Sequence, residues 1–426
     1  MTGASDDEAS GTGGDDEGPR GASNEGPVMP RRRGARSTFL WMGALSVVTL
    51  VLGVLREFVI ARDLRASGTA DLFFRGLVIV GACRNFGLAL FRARWIPLGM
   101  GPAAADLLRR EGRAAALIVV AALVGLVVVY GPEPWAGPLP WVFVGAVVLA
   151  VIGSAVRSLA ERAGFERLGF VLEWALPLGT IAGAMLIGRG ALGPALGITA
   201  GLLVGLLALV PPVFLQQATG ALRRSEYDPH RTRWLLLDTL LYINLGLLDA
   251  SLSPHIFDEG GFALLTYAYL FVNAALAVPT AAATVVALRL ASDPGRARRI
   301  LRRWAPIAGV VVGSGVLLVW ILLGWEPVAT RIDAAATWDM ASSIRPIVLA
   351  AVPFAALRLA NTVGRQARVA EDPRGLVRWD LAGLMLRTVV LVVGASLYGV
   401  IASPVALVVG ELVQLGAWWR WSSARE

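Results

Sequence analysis

Residues 49–97 read TLVLGVLREFVIARDLRASGTADLFFRGLVIVGACRNFGLALFRARWIP. Two apolar stretches flank a short charged turn. Charges also recur inside the stretches: Arg56 and Glu57 in the first, Asp71, Arg75 and Arg84 in the second. A helix on the surface of a soluble protein shows one apolar stripe, whereas these stretches are apolar on nearly every side, as a membrane-buried helix is.

The rest of the chain follows suit. Of 426 residues, 56% are hydrophobic, 48 are Gly, and only 16% are charged, against about 25% in soluble domains. This excludes an ordinary cytosolic enzyme. From Thr38 onward, twelve apolar segments are long enough, or nearly so, to cross about 30 Å of hydrocarbon. They cover approximately 38–60, 71–91, 113–131, 140–160, 168–187, 191–215, 234–253, 262–288, 304–324, 345–363, 380–400 and 403–421. The expected fold is all-α: a polytopic membrane protein with about 12 transmembrane helices in two six-helix lobes. Residues 1–37 form a separate zone, rich in Gly, Ser, Asp and Glu up to residue 26, which reads as disorder. Arg31, Arg32, Arg33 and Arg36 then precede the first apolar run. Because the start is acidic and no short cleavable apolar core follows, the zone reads as a cytoplasmic tail and not a signal peptide. The polar, basic stretch 216–233 divides the bundle into an N-terminal lobe, 38–215, and a C-terminal lobe, 234–426. Paired halves of this kind are common in secondary transporters; here they follow from helix count, with no sequence repeat between them.

All 39 basic residues are Arg. If the tail is placed inside, 29 of them fall in the tail and inner loops, five in outer loops (Arg62, Arg65, Arg189, Arg331 and Arg345), and five within spans. Arginine marks the cytoplasmic side of membrane proteins, so both termini are expected in the cytoplasm and the protein in the plasma membrane. The charge of +8 reports topology and not nucleic-acid binding. Cys83 is the single Cys, and His230 and His255 are the two His. Disulfides within the chain, zinc clusters and His-based triads are therefore unsupported. No Walker motif is present, and no cofactor is expected.

Each charge in hydrocarbon costs roughly 2.5–3.5 kcal/mol on insertion scales. Arg56 and Glu57 lie near the outer end of the first segment, where Arg56 either snorkels to the interface or lines a water-filled cavity. Asp71 and Arg75 are one turn apart and can pair. Arg84 is thirteen residues beyond Asp71, roughly 20 Å deeper, and a cavity role is expected for it. Arg358 and Arg387 sit in inner thirds of their segments and read as snorkelling. Glu173, Asp238, Asp249 and Glu411 lie within about two turns of segment ends. Asn244 and Asn273 fall near mid-membrane, where they glue helices together or touch a ligand. Pro177, Pro279 and Pro353 interrupt three segments and permit bending. Arginine held in a membrane suits an anionic ligand, because the guanidinium stays charged and grips phosphate through two hydrogen bonds.

Leu52-Gly53-Val54-Leu55-Arg56-Glu57, Ala70-Asp71-Leu72-Phe73-Phe74, Arg84 and Trp95-Ile96-Pro97 together resemble the first two helices of the MurJ/MviN lipid II flippases. That family is part of the multidrug/oligosaccharidyl-lipid/polysaccharide (MOP) exporter superfamily. Weaker likeness continues through Ala155–Pro177, Tyr242-Ile243-Asn244 and Leu265-Thr266-Tyr267-Ala268-Tyr269. The resemblance implies a two-lobed bundle around a cationic cavity that opens alternately to either side. It implies binding of an undecaprenyl-pyrophosphate-linked glycan, with Arg56 and Arg84 matching family arginines and Glu57 and Asp71 matching nearby acids. The sequence departs from the family where a further Arg of its first helix falls at Leu50. The Arg and Glu of the family's eighth helix fall at Leu270 and Asn273. The family usually has fourteen helices where twelve are read here.

The expected substrate-binding residues are Arg56, Arg84, Glu57, Asp71, Asn244 and Asn273, and the expected activity is non-enzymatic. The expected partners are the polyprenyl-pyrophosphate-linked glycan, the lipid bilayer and cell-envelope biosynthesis proteins. Other readings are a membrane-embedded glycan polymerase or glycosyltransferase, which needs larger outer loops, and a non-transporting cell-wall scaffold. A major facilitator carrier needs a Gly-x-x-x-Asp-Arg-x-Gly-Arg run, and Asp106–Arg113 has the wrong spacing.

Overall fold

The computed structural model describes residues 35–423 apart from 96–103, 132–134, 136, 163–167, 189, 216–228, 244–245, 291–293 and 372. Most of the tail, most of the 216–233 linker, and Asn244 lie outside the described residues. The described residues are helical with no strand among them. In the first half the helices are α1 (Ala35–Leu64), α2 (Gly68–Trp95), α3 (Ala104–Tyr130), α4 (Pro138–Arg162), α5 (Gly169–Ile187) and α6 (Leu192–Leu215). In the second half they are α7 (Pro229–Asp238), α8 (Gly246–Ile256), α9 (Gly261–Leu290), α10 (Pro294–Leu323), α11 (Glu326–Ala336), α12 (Met340–Ala350), α13 (Val352–Glu371), α14 (Pro373–Tyr398) and α15 (Ala402–Ser423).

Among the described residues, eight helical stretches are long and apolar enough to cross a membrane, or nine if one bent pair counts as a span. One of them, Arg374–Arg420, is 47 residues long and passes over the 3-10 turn Gly399–Ile401 between α14 and α15. The charge-bearing α1 and the Pro-interrupted α9 are each 30 residues, about 45 Å at 1.5 Å per residue. With them, each of the twelve expected segments coincides with a helix or a helix pair.

Three local departures have physical reasons. The last residues of the expected linker are helical, because Pro229 opens α7 with a φ suited to a first turn. The seventh segment is split: a π turn at Thr239–Ile243 separates α7 from α8. The tenth is bent by 52° between α12 and α13. Pro353 stands at that bend; it lacks an N–H and its ring pushes away the carbonyl of Leu349.

Packing follows the two halves. In the first, α5 lies along α6, α2 along α4 and α3, and α1 along α5. In the second, α14 pairs with α15, α13 packs on α9, α10 and α15, and α9 on α12. The halves meet where α1 touches α9 and α2 touches α8 and α9. Helix association in hydrocarbon relies on close packing, since lipid tails are as apolar as the helices. The α5–α6 pair shows the limit of this. A Cβ on Gly179 or Gly183 would strike the backbone oxygens of Gly197 and Gly193, and a Cβ on Gly197 would strike that of Gly179.

Gly197→Val should therefore force α5 and α6 apart, at a cost of roughly 1–3 kcal/mol, and lower the melting temperature in detergent. Gly416→Ala, whose Cβ would meet nothing within 4 Å, should leave it unchanged. Equal melting of both variants would show that the backbone contact is not required.

Candidate functional site

At the end of the bundle where α2 and α9 begin, the halves are held by a reciprocal clasp. The Asp71 carboxylate on α2 accepts hydrogen bonds from the backbone N–H groups of Gly260 (2.9 Å) and Ala263 (2.7 Å), at the start of α9. The Glu259 carboxylate accepts one from Gly68 N–H (3.1 Å), at the start of α2. Each half thus places a carboxylate on a helix N-terminus of the other, where unpaired donors and the helix dipole favour negative charge. Gly260 in particular is required. Gly68 abuts the Glu259 side chain, and Gly260 has φ +83° with its missing Cβ directed at the Ala66 carbonyl.

Further contacts complete the seal. Tyr267 donates to the Arg65 carbonyl (3.0 Å), Trp338 to the Ala61 carbonyl (2.9 Å), and Arg75 to the Ser253 hydroxyl (3.0 Å). Phe74 meets Tyr267 edge to face at 5.2 Å.

Beside this seal lies a cavity of about 610 Å³ between the halves. Thr49, Leu50, Gly53, Arg56 and Glu57 of α1 form one wall, and Val78 of α2 adds to it. Asp249 of α8, Thr266, Tyr269, Leu270 and Asn273 of α9, Phe354 and Arg358 of α13, and Leu407 of α15 form the other. Much of the lining is apolar, with a few convergent polar groups. Arg56 and Arg358, one from each half, supply the positive charge. Arg56 pairs with Glu57, and Arg358 with Glu411 of α15 at 3.0 Å. Glu411 also accepts from Asn361 at 2.6 Å. Asp249 pairs with Arg387 of α14 at 2.7 Å. One oxygen of Glu57 is buried without a hydrogen-bond partner among the described residues.

Among the expected residues, the structure brings Arg56, Glu57 and Asn273 to this cavity. It places Asp71 in the clasp between the halves, and Arg84 elsewhere. Arg84 pairs with Glu173 of α5 at 3.0 Å, in a network where Arg157 bonds Glu161 and Glu173 and Arg92 bonds Glu161. A second network joins four helices of the other half: Arg365 reaches Asp238 and Asp380, and Gln414 donates to Asp380. Asn244 falls outside the described residues.

Two expectations are corrected. Arg358 lines the cavity, and Arg387 is 1% exposed; neither snorkels, because a carboxylate on a neighbouring helix holds each one. Sequence reading missed Arg358 as a cavity group because Glu411, the acid beside it, lies fifty-three positions away. Thr266 and Tyr269 carried only a faint signal, their place in the Leu265–Tyr269 likeness.

A helical membrane bundle of two halves around a central cavity is an arrangement common among secondary transporters. Solved structures give that architecture a more particular form. The lipid II flippase MurJ, in an inward-closed conformation, matches with a TM-score of 0.72 at 12% identity over 90% of this chain and 87% of that one. A mutant of the Vibrio cholerae MATE transporter VcmN matches with 0.62 at 14% identity over 91% and 95%. A MOP superfamily transporter from Pyrococcus furiosus matches with 0.56 at 15% identity over 92% and 95%. The chain therefore shares the fold of these structures. By sequence, no family model matches it, and neither does any curated protein.

Two experiments probe this geometry. With Cys83 replaced by Ala and a Cys introduced at Thr266, Asp71→Ala should speed labelling by an impermeant maleimide from the outer side about tenfold; an unchanged rate would show that the clasp does not seal this end. Arg387→Met should destabilise the protein by roughly 3–5 kcal/mol, the usual cost of leaving a buried charge unpaired. Adding Asp249→Asn should restore much of that loss, as read by thermal melting of the double mutant.

Proposed function

We propose that the protein is a flippase for an undecaprenyl-pyrophosphate-linked glycan, lipid II or a related polysaccharide precursor, moving it from the inner to the outer leaflet by alternating access. The observation that carries this reading is the placing of Arg56 and Arg358 on opposite walls of one cavity between the halves. A guanidinium from each half can grip a phosphate group from two sides. The apolar remainder of the lining suits an amphiphile. The likeness to the lipid II flippase supports the same choice. Thr49, Glu57 and Asn273 are the polar neighbours for the glycan, Asp71 acts in holding the halves in register, and Arg84 ties α2 to α5 within the first half. On this reading the clasp between the lobes 38–215 and 234–426 closes the outer end and must part when the lobes, tethered through 216–233, rock to release the cargo outward. The termini face the cytoplasm, and the plasma membrane is the site of action.

The near balance of charge at the cavity, where Glu57 and Asp249 stand beside the two arginines, favours a second reading: export of an amphiphilic cation. One assay separates the two. In proteoliposomes, the protein should move a fluorescent polyprenyl-pyrophosphate glycan across the bilayer, and Arg56→Ala or Arg358→Ala should slow this at least tenfold. Transport of a lipophilic cation that survives both substitutions, with no movement of the glycan lipid, would establish the second reading in its place.

A further inference from the structure

A separate groove of about 420 Å³ opens on the side of the second half, between α10, α13 and α15. Its lining is apolar almost throughout, including Pro306, Gly313, Leu317, Ala356, Ala360 and Trp418. On α10 it runs from Ala305 to Leu317, about 18 Å at 1.5 Å per residue, close to half of the roughly 30 Å hydrocarbon thickness. The groove is thus one leaflet deep. One end is fixed by the packing of Ala305, Ala360 and Trp418. At that end α10 carries Arg303 and Trp304, and α15 carries Trp419 and Arg420, all exposed. Exposed Trp marks the interface between hydrocarbon and headgroups, and arginines there attract anionic headgroups.

We infer that this groove is a binding site for an anionic phospholipid of the arginine-rich leaflet. One acyl chain lies along α10 between α13 and α15, and the phosphate sits at Arg303 and Arg420. The site is distinct from the central cavity: α13 separates them, turning Phe354 and Arg358 to the cavity and Ala356, Leu357 and Ala360 to the groove. It holds a resident lipid and stands whether or not the transport reading does.

The test uses the full chain in nanodiscs of mixed phosphatidylglycerol and phosphatidylcholine, released into native mass spectrometry. The protein should retain phosphatidylglycerol about tenfold over phosphatidylcholine. The double variant Arg303→Gln/Arg420→Gln should lose that preference yet still retain lipid. Ser314→Phe, which fills the groove from an exposed position, should retain neither, while its melting temperature in detergent stays within a few degrees of the parent. Equal retention of the two lipids by the parent would overturn the inference. So would unchanged retention by a folded Ser314→Phe protein, or displacement of phosphatidylglycerol by equimolar undecaprenyl phosphate.

Discussion

A guanidinium cannot lose its proton, and in a low-dielectric bilayer it must find an opposite charge or reach water. Most of the helix contacts that matter in this protein follow from that constraint. Arg75 stands beside Asp71, Arg84 meets Glu173, Arg358 meets Glu411 and Arg387 meets Asp249. Only the first of these pairs lies within one helix; the others tie α2 to α5, α13 to α15 and α8 to α14. Removing one partner of such a pair costs more than the pair contributes, because the survivor is stranded. The charges therefore tie particular helices together, beside pairs such as α5 and α6 that close packing alone brings into contact.

The same distinction explains what could be read from the chain. The alternation of arginine between loops follows from a rule applied one loop at a time, so the twelve segments were legible. The Asp71–Arg75 pairing was legible in part because four positions on one helix are always adjacent. Its main role was not: Asp71 caps a helix whose first residue is 190 positions away in the chain, at Gly261. Arg56 lines a cavity together with Glu57, one of the two places the sequence left open for it. Arg84 has the spacing of a cavity residue, but α2 turns it toward Glu173. No local pattern distinguishes these outcomes, because they depend on which helix lies opposite. Likewise Pro353 announced the bend between α12 and α13, whereas no residue signals the π turn at Thr239–Ile243.

The halves differ in the continuity of their helices. The first contains the α5–α6 pair in backbone contact, and its six helices run without a sharp break among the described residues. The second contains the split of α7 from α8 and the 52° bend before α13. Both interruptions lie in segments that reach the cavity, through Asp249 on α8 and Phe354 and Arg358 on α13. The breaks in the described helices thus fall on the side of the cavity formed by the second half.

Pairing each intramembrane arginine among the described residues with a carboxylate also bears on how the protein responds to voltage. A unit charge carried across the whole membrane exchanges about 2.3 kcal/mol per 100 mV with the potential. A bound pair carried together exchanges almost nothing, because its two halves move through the same fraction of the field. Any displacement of these paired helices through the bilayer is therefore nearly silent electrically.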